Sequence, residues 1–139
     1  MRTVLESEAD ATEHLDAVLR HAYGTVQRVR TLDHAIEALG RRPVRQLDPP
    51  VRAALRLGAY QLWSGVSAHA AVGETVAAMQ VVSPRAKGFV NAVLRKLAAA
   101  GPPWPLPDGD DTASIGVRTS MPNWIVARLV DDLGPTDAA

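Results

Sequence analysis

Apolar positions along this chain recur with helical spacing almost throughout. Leu15, Val18, Leu19, Ala22, Val26 and Val29 form one stripe of a first helix, predicted to start near Asp10 or Thr12. Either residue can cap it, and acids in its first turn face the positive end of the helix dipole. Gly24 interrupts the stripe at a cost of ~1 kcal/mol relative to Ala, and reads either as close approach of another helix or as a tolerated weakness. Leu32, Ala35, Ile36 and Leu39 continue the pattern to Gly40, a candidate for the residue just past a helix end. The pattern leaves open whether these two runs are one helix or two.

The run Arg41-Arg42-Pro43-Val44-Arg45-Gln46-Leu47 reads as a loop, and Asp48 as a cap whose carboxylate accepts from the next helix's free amides. Pro49 and Pro50 suit the first turn of that helix, where a missing N–H costs nothing. Its core face is Val51, Ala54, Leu55, Gly58 and Leu62, ending near Trp63. A turn over Ser64–Ser67 precedes a helix from Ala70 to Val82, whose Ala70, Ala71, Ala77 and Ala78 suit close helix crossing. Ser83-Pro84 opens a last core helix through Phe89, Val90, Val93, Leu94 and Leu97 to Gly101. One core is expected to hold Leu55, Leu62, Phe89, Val93 and Leu94. No segment sustains the two-residue alternation of a strand.

Composition changes at Gly101. Gly-Pro-Pro-Trp-Pro-Leu-Pro-Asp-Gly-Asp-Asp holds four prolines and two glycines in eleven residues, the signature of an extended or turn-rich linker. A short amphipathic helix, roughly Pro122 to Leu133, follows it, and Gly134-Pro135 stops that helix. The division is therefore a helical domain over 1–100, then a linker and the start of a connection over 101–139.

At 139 residues, 47% of them hydrophobic, the chain can bury one modest core. It has no cysteine, which excludes disulfides, thiolate-held metals and a thiol nucleophile. The N-terminus is too acidic and too short in apolar run for a signal peptide, and no stretch approaches a membrane span. A cytoplasmic location is the default expectation. Neither GxGxxG nor GxxxxGK[ST] occurs, so no phosphate-cradling loop is present. His14 and His21 lie seven apart, unlike helical zinc motifs, while Asp110-Asp111 and Asp131-Asp132 read as solvated flanks. No metal and no cofactor are expected.

Charge carries the remaining signal. The formal total is zero, yet from Arg20 to Arg56 eight arginines (20, 28, 30, 41, 42, 45, 52, 56) face three acids (33, 37, 48). Arg41, Arg42 and Arg45 occupy the loop, and Arg52 with Arg56, four apart, shares a helix face. Arg85, Lys87, Arg95 and Lys96 bracket the last core helix, with no acid between Glu74 and Asp108. Arginine suits bidentate contact with phosphate. On charge alone, an RNA-binding surface and a solvated surface with local ion pairs, such as Arg52 with Asp48, are equally good readings. Tyr23, Tyr60, Phe89 and the three tryptophans are expected mostly in the core rather than stacked on bases.

Several runs together resemble the NusB family. They are Leu47-Asp48-Pro49-Pro50-Val51-Arg52, Leu55-Arg56-Leu57-Gly58-Ala59-Tyr60-Gln61-Leu62, Ala68-His69-Ala70-Ala71-Val72 with Glu74, and Gly88-Phe89-Val90-Asn91-Ala92-Val93-Leu94-Arg95. Tyr23-Gly24-Thr25 and Leu32-Asp33 add earlier signals, so the resemblance spans about residues 15 to 98. It implies an all-α, NusB-like helical bundle that binds RNA. The Tyr-Gln-Leu and Ala-His-Ala-Ala-Val runs are more similar to the front domain of RsmB-type (Sun/Fmu) rRNA 5-methylcytosine methyltransferases than to free-standing NusB. Ser120-Met121-Pro122-Asn123-Trp124 resembles the Ser-His-Pro-x-Trp segment leading to their catalytic domain, with Met121 in place of His. The domain departs from the family in lacking its two usual opening helices, which implies a fragment, a shortened product or a degenerate paralogue.

The reading that follows is a non-catalytic module for 16S rRNA recognition, with Arg41, Arg42, Arg45, Arg52, Arg56, Lys87, Arg95 and Lys96 as RNA contacts. Its partners would be RNA and a downstream methyltransferase domain. The alternatives are an antitermination factor acting with a ribosomal protein, and a structural remnant that binds nothing. Without opening helices the stripe through Leu15, Val18, Leu19 and Ala22 would lie uncovered and favour a homo-oligomer. The implied chemistry needs a cysteine to attack the pyrimidine ring and a loop for S-adenosylmethionine, and this sequence has neither. The purified chain is therefore expected to form no 5-methylcytosine from S-adenosylmethionine and rRNA; finding the modified base by mass spectrometry would overturn this.

Overall fold

A computed structural model describes residues 4–133, with side chains of the first helix from Thr12 onward except His14. Seven α-helices follow one another among the described residues: α1 Val4–Gln27, α2 Val29–Gly40, α3 Pro49–Trp63, α4 Ala68–Val82, α5 Lys87–Ala100, α6 Thr112–Thr119 and α7 Asn123–Leu133. Single 3-10 turns at Val44–Gln46 and Pro84–Ala86 lead into α3 and α5. No strand occurs among these residues, and no helix is long and apolar enough to cross a membrane. The architecture is the all-α bundle the sequence implies.

Helix ends show where local signals mislead. The first helix is already formed at Val4, ahead of Asp10 and Thr12, because the alanines, glutamates and leucine before them are good helix formers. The caps foreseen at Asp10 and the stop at Gly134-Pro135 fall outside the described side chains and residues. The two apolar runs are separate helices, broken at Arg28. The left-handed residue ending α2 is Arg41 (φ 57°), not Gly40. Gly40 instead faces α5: a Cβ there would lie 3.4 Å from Val93. Asp48 stands at the N-cap of α3, but its carboxylate makes no capping bond. Ser67 and Asp111 do cap, each side chain accepting from the backbone amide three residues on. The hydroxyl and amide of Ser114 hold the Asp111 carboxyl below its ordinary pKa. The Val44 amide donates to Glu37 Oε1 at 2.9 Å and ties the 3-10 turn to α2.

Helix α3 is the hub, packed against α1, α2, α4 and α5. Its Val51, Leu55, Ala59 and Leu62 are buried with Leu32 and Ile36 of α2, Ala71 and Met79 of α4, and Val90, Val93, Leu94 and Leu97 of α5. Phe89 is half-buried at the margin of this core. Gly58 admits α5, since a Cβ would come within 2.8 Å of Leu94. Gly24 admits α3, since a Cβ would sit 2.2 Å from the Tyr60 ring. The alanine-rich crossing expected of α4 rests on the buried Ala71 and the partly buried Ala70, because Ala77 and Ala78 are exposed. Helix α1 turns His21, Gly24 and Thr25 toward the body. Its apolar stripe points outward: Leu15, Val18, Leu19 and Val26 are about half exposed or more (56, 48, 56 and 71%).

The proline-rich stretch does not swing free. Trp104 is buried and its Nε1–H donates to Leu97 O at 2.9 Å. Helix α6, absent from the sequence reading, forms from poor helix formers because Asp111 caps it and Ile115 is fully buried. The Arg30 guanidinium donates to Met121 O at 2.6 Å, and the Arg30 amide donates to Ser120 Oγ at 3.0 Å. The Thr31 hydroxyl donates to Val117 O, so α2 grips the whole of α6.

These placements separate core from surface. Leu55→Ala should cost about 2–5 kcal/mol in urea unfolding, whereas Leu19→Glu should stay within about 0.5 kcal/mol of the parent. Equal losses from the two substitutions would mean that α1 buries its stripe after all.

Candidate nucleic-acid interface

The eight cations singled out by the sequence separate into distinct settings. Arg41, Arg42 and Arg45 are exposed on the α2–α3 connection, where the left-handed Arg41 turns the chain and the 3-10 turn carries Arg45 outward. Arg52 is half-exposed on α3 and makes no ion pair with Asp48. Arg56, one turn on, is occupied. Its Nε donates to Asp33 Oδ1 at 2.8 Å and its Nη2 to Oδ2 at 2.7 Å, a bidentate fork in which both side chains are about a quarter exposed (26% and 22%). The fork that would grip a phosphate is filled by a carboxylate of α2.

On α5, Lys87, Arg95 and Lys96 are all exposed. Lys87 Nζ donates to Gln80 Oε1 at 2.8 Å, and Arg95 Nε donates to Asn91 Oδ1 at 3.1 Å. Arg95 edges a groove of about 450 Å³ between α4 and α5, with His69, Val72, Val76 and Asn91. A second concavity, about 530 Å³, lies where the α2–α3 connection meets the α4–α5 corner. Arg42 and Arg85 both line it, over a floor of Leu47, Val51 and Phe89. The Arg42 guanidinium carbon stands 5.4 Å from the Phe89 ring centroid, within cation–π range. The fold thus brings together two cations that are 43 positions apart in sequence (85 less 42).

Phe89 was expected in the core and is instead half-buried at the cleft. Tyr23 and Trp124, likewise assigned mainly to the core, are 67% and 73% exposed, and only Trp104 among the tryptophans is buried. Trp63 carries Arg28 over its ring at 4.1 Å and packs 5.8 Å from Tyr60, whose ring meets His21 edge-on. Arg28 is thereby engaged in packing α1 on α3. Arg85 is one of the four cations that bracket the last core helix in the sequence but is not among the eight expected contacts; nothing local could pair it with Arg42. No group of histidine and carboxylate residues able to hold a metal occurs among the described residues, and His14 lies outside them.

Curated relatives named ribosomal RNA small subunit methyltransferase B align with most of the chain. The protein of Pseudomonas putida is 35% identical over 133 residues, covering 93% of this chain and 30% of its own length. That of Thermus thermophilus is 40% identical over 103 residues, covering 74% and 23% respectively. That of Vibrio cholerae is 37% identical over 109 residues, covering 77% and 24%. The chain thus spans less than a third of these relatives and corresponds to their N-terminal, NusB-like part. No solved structure matches it significantly. The NusB family profile covers residues 2–99, well over half of the sequence, and the chain belongs to the NusB family.

Proposed function

We propose that this chain is a non-catalytic RNA-binding module, equivalent to the rRNA-recognition end of an RsmB-type small-subunit rRNA methyltransferase. The observation that carries the reading is the convergence of Arg42 and Arg85 on one cleft, with Arg41, Arg45 and Lys87 on the segments that form it. No acid lies between Glu74 and Asp108, and Asp48 is the one carboxylate that lines the cleft. Phosphate is the ligand that such a surface attracts in general, because Lys and Arg release counterions from a nucleic-acid backbone. The relatives' names favour rRNA over an antitermination target, and a methyltransferase catalytic domain is the natural partner in cis or in trans. Arg41, Arg42, Arg45, Arg52, Lys87, Arg95 and Lys96 supply the positive field in this reading. Arg56 serves the fold.

A labelled rRNA hairpin titrated at two salt concentrations tests it. With about four phosphates neutralised on a single strand, log K should fall against log salt with a slope near −3, at roughly −0.7 per contact. Arg42→Glu with Arg45→Glu should weaken binding to all sequences alike, since phosphate contacts position rather than specify. Arg128→Glu should leave binding unchanged, Arg128 being paired with Asp132 on the exposed face of α7. Absence of binding at low salt would refute the function.

The Arg56–Asp33 fork yields a separate outcome. Arg56→Gln should lower stability by about 1–3 kcal/mol, the range for a hydrogen bond to a charged group, and change RNA affinity little. A variant that folds as stably as the parent but loses RNA would return Arg56 to the binding surface.

A further inference from the structure

The cleft between the α2–α3 connection and the α4–α5 corner has features that a general phosphate-attracting surface does not need. Its volume of about 530 Å³ lies in the range of small-ligand sites, roughly 300–1,000 Å³. Its floor is apolar: Leu47 and Val51 are 6% and 5% exposed, and Phe89 forms one wall. Arg42 is carried on the Phe89 ring, and Arg85 stands in the same cleft on the 3-10 turn of α4–α5. Gln46, Asp48 and Ser83 supply polar edges.

Asp48 is the informative residue. It occupies the N-cap position of α3, where its type normally caps, yet its carboxylate makes no capping bond and no ion pair with Arg52. A free carboxylate within a basic cleft repels a bare anion such as phosphate or a phosphoserine. It accepts hydrogen bonds from the amino group of a nucleobase, as acidic side chains do from cytosine N4. A guanidinium lying on an aromatic ring is a stacking platform for an unpaired base. One cation, one platform, one acceptor and an apolar floor match the phosphate, face, edge and ring of a single nucleotide.

We propose that this cleft is a subsite for one unpaired nucleotide of single-stranded RNA. Its base lies against the Arg42–Phe89 pair, its phosphate on Arg85 and its amino edge on Asp48. The proposal rests on the RNA-binding reading above and narrows it to an amino-bearing base, cytosine or adenine in preference to uracil. Duplex RNA is excluded from the subsite, because its bases offer no free face.

The test uses the full chain, fluorescent oligo(C) and oligo(U), and cytidine monophosphate followed by NMR. Arg42→Ala and Arg85→Ala should each weaken oligo(C) binding by about fivefold or more, the low end of the loss for one stacked base. Both residues are exposed, so far-UV spectra and urea midpoints should not change. Asp48→Ala, which removes the acceptor, should retain binding but abolish the preference for oligo(C) over oligo(U). Cytidine monophosphate should shift the resonances of Phe89 and Val51, and a phosphoserine peptide should not displace it. RNA binding that survives all three substitutions overturns the subsite and leaves the general reading intact. A wild-type chain that ignores RNA but takes cytidine monophosphate into the cleft overturns the general reading and with it the RNA subsite, leaving a site for a free mononucleotide. Failure of both ligands, or displacement by the phosphopeptide, removes the subsite.

Discussion

The close crossing of α3 over α5 sets the shape of everything around it. At Gly58 the backbone of α3 comes near enough to Leu94 that an added methyl would overlap it at 2.8 Å. Leu55, Leu62, Val90 and Leu97 then close the contact on either side, all buried. The two connections that form the basic cleft hang from the N-terminal ends of these same two helices. Their separation is therefore a consequence of core packing, not of anything in the loops. A loop held at one end by such a crossing, and at the other by the Val44–Glu37 bond, can present Arg42 in a fixed place without being rigid itself.

Arginine is used in this chain in two opposite ways. Arg30, Arg56 and Arg118 point their guanidinium groups at carbonyls or a carboxylate of other segments: Met121, Asp33, and Pro107 with Gly109. Each joins parts of the structure that the apolar core alone would leave unlinked. Arg41, Arg42, Arg45 and Arg85 have no such partner and remain at the surface. The distinction follows from acceptors: where a helix end or an acid is within reach the fork is used up, and elsewhere it stays available. Basic residues that look alike in a sequence thus divide into structural and available sets only after the fold has supplied acceptors.

That division explains how much the sequence could show. The order of the helical runs and the buried faces of α2, α3 and α5 follow from helical periodicity, whereas the break at Arg28 does not: the same pattern fits one helix or two, and it also marks the exposed stripe of α1. The glycine at position 24 was legible as a close approach because its cost in a helix demands a reason. Asp48 and Gly40 misled because capping preferences are local averages: Asp48 holds the N-cap position without its carboxylate making the bond, and Gly40 is used for its approach to Val93. Helix α6 was illegible, since its threonines, serine and glycine are poor helix formers and only burial of Ile115 and the grip of α2 stabilise it. At the interface, the charges were visible but their grouping was not. Arg56 carries the same local signal as Arg52, and only Asp33, 23 positions away, distinguishes them.

The attachment of α6 gives the chain's two parts a defined relation. An exposed proline-rich linker would let α7 sample many positions relative to the core. Here Trp104 is seated beneath the end of α5, and Arg30 holds the turn between α6 and α7 through Met121. Gly116 is required for this: any Cβ would occupy the space of the Arg30 guanidinium, 2.1 Å away. The start of α7 is thereby referenced to α2, the same helix whose far end leads into the basic loop. That relation rests on the Arg30–Met121 and Thr31–Val117 bonds together with the space left by the side chain that Gly116 lacks.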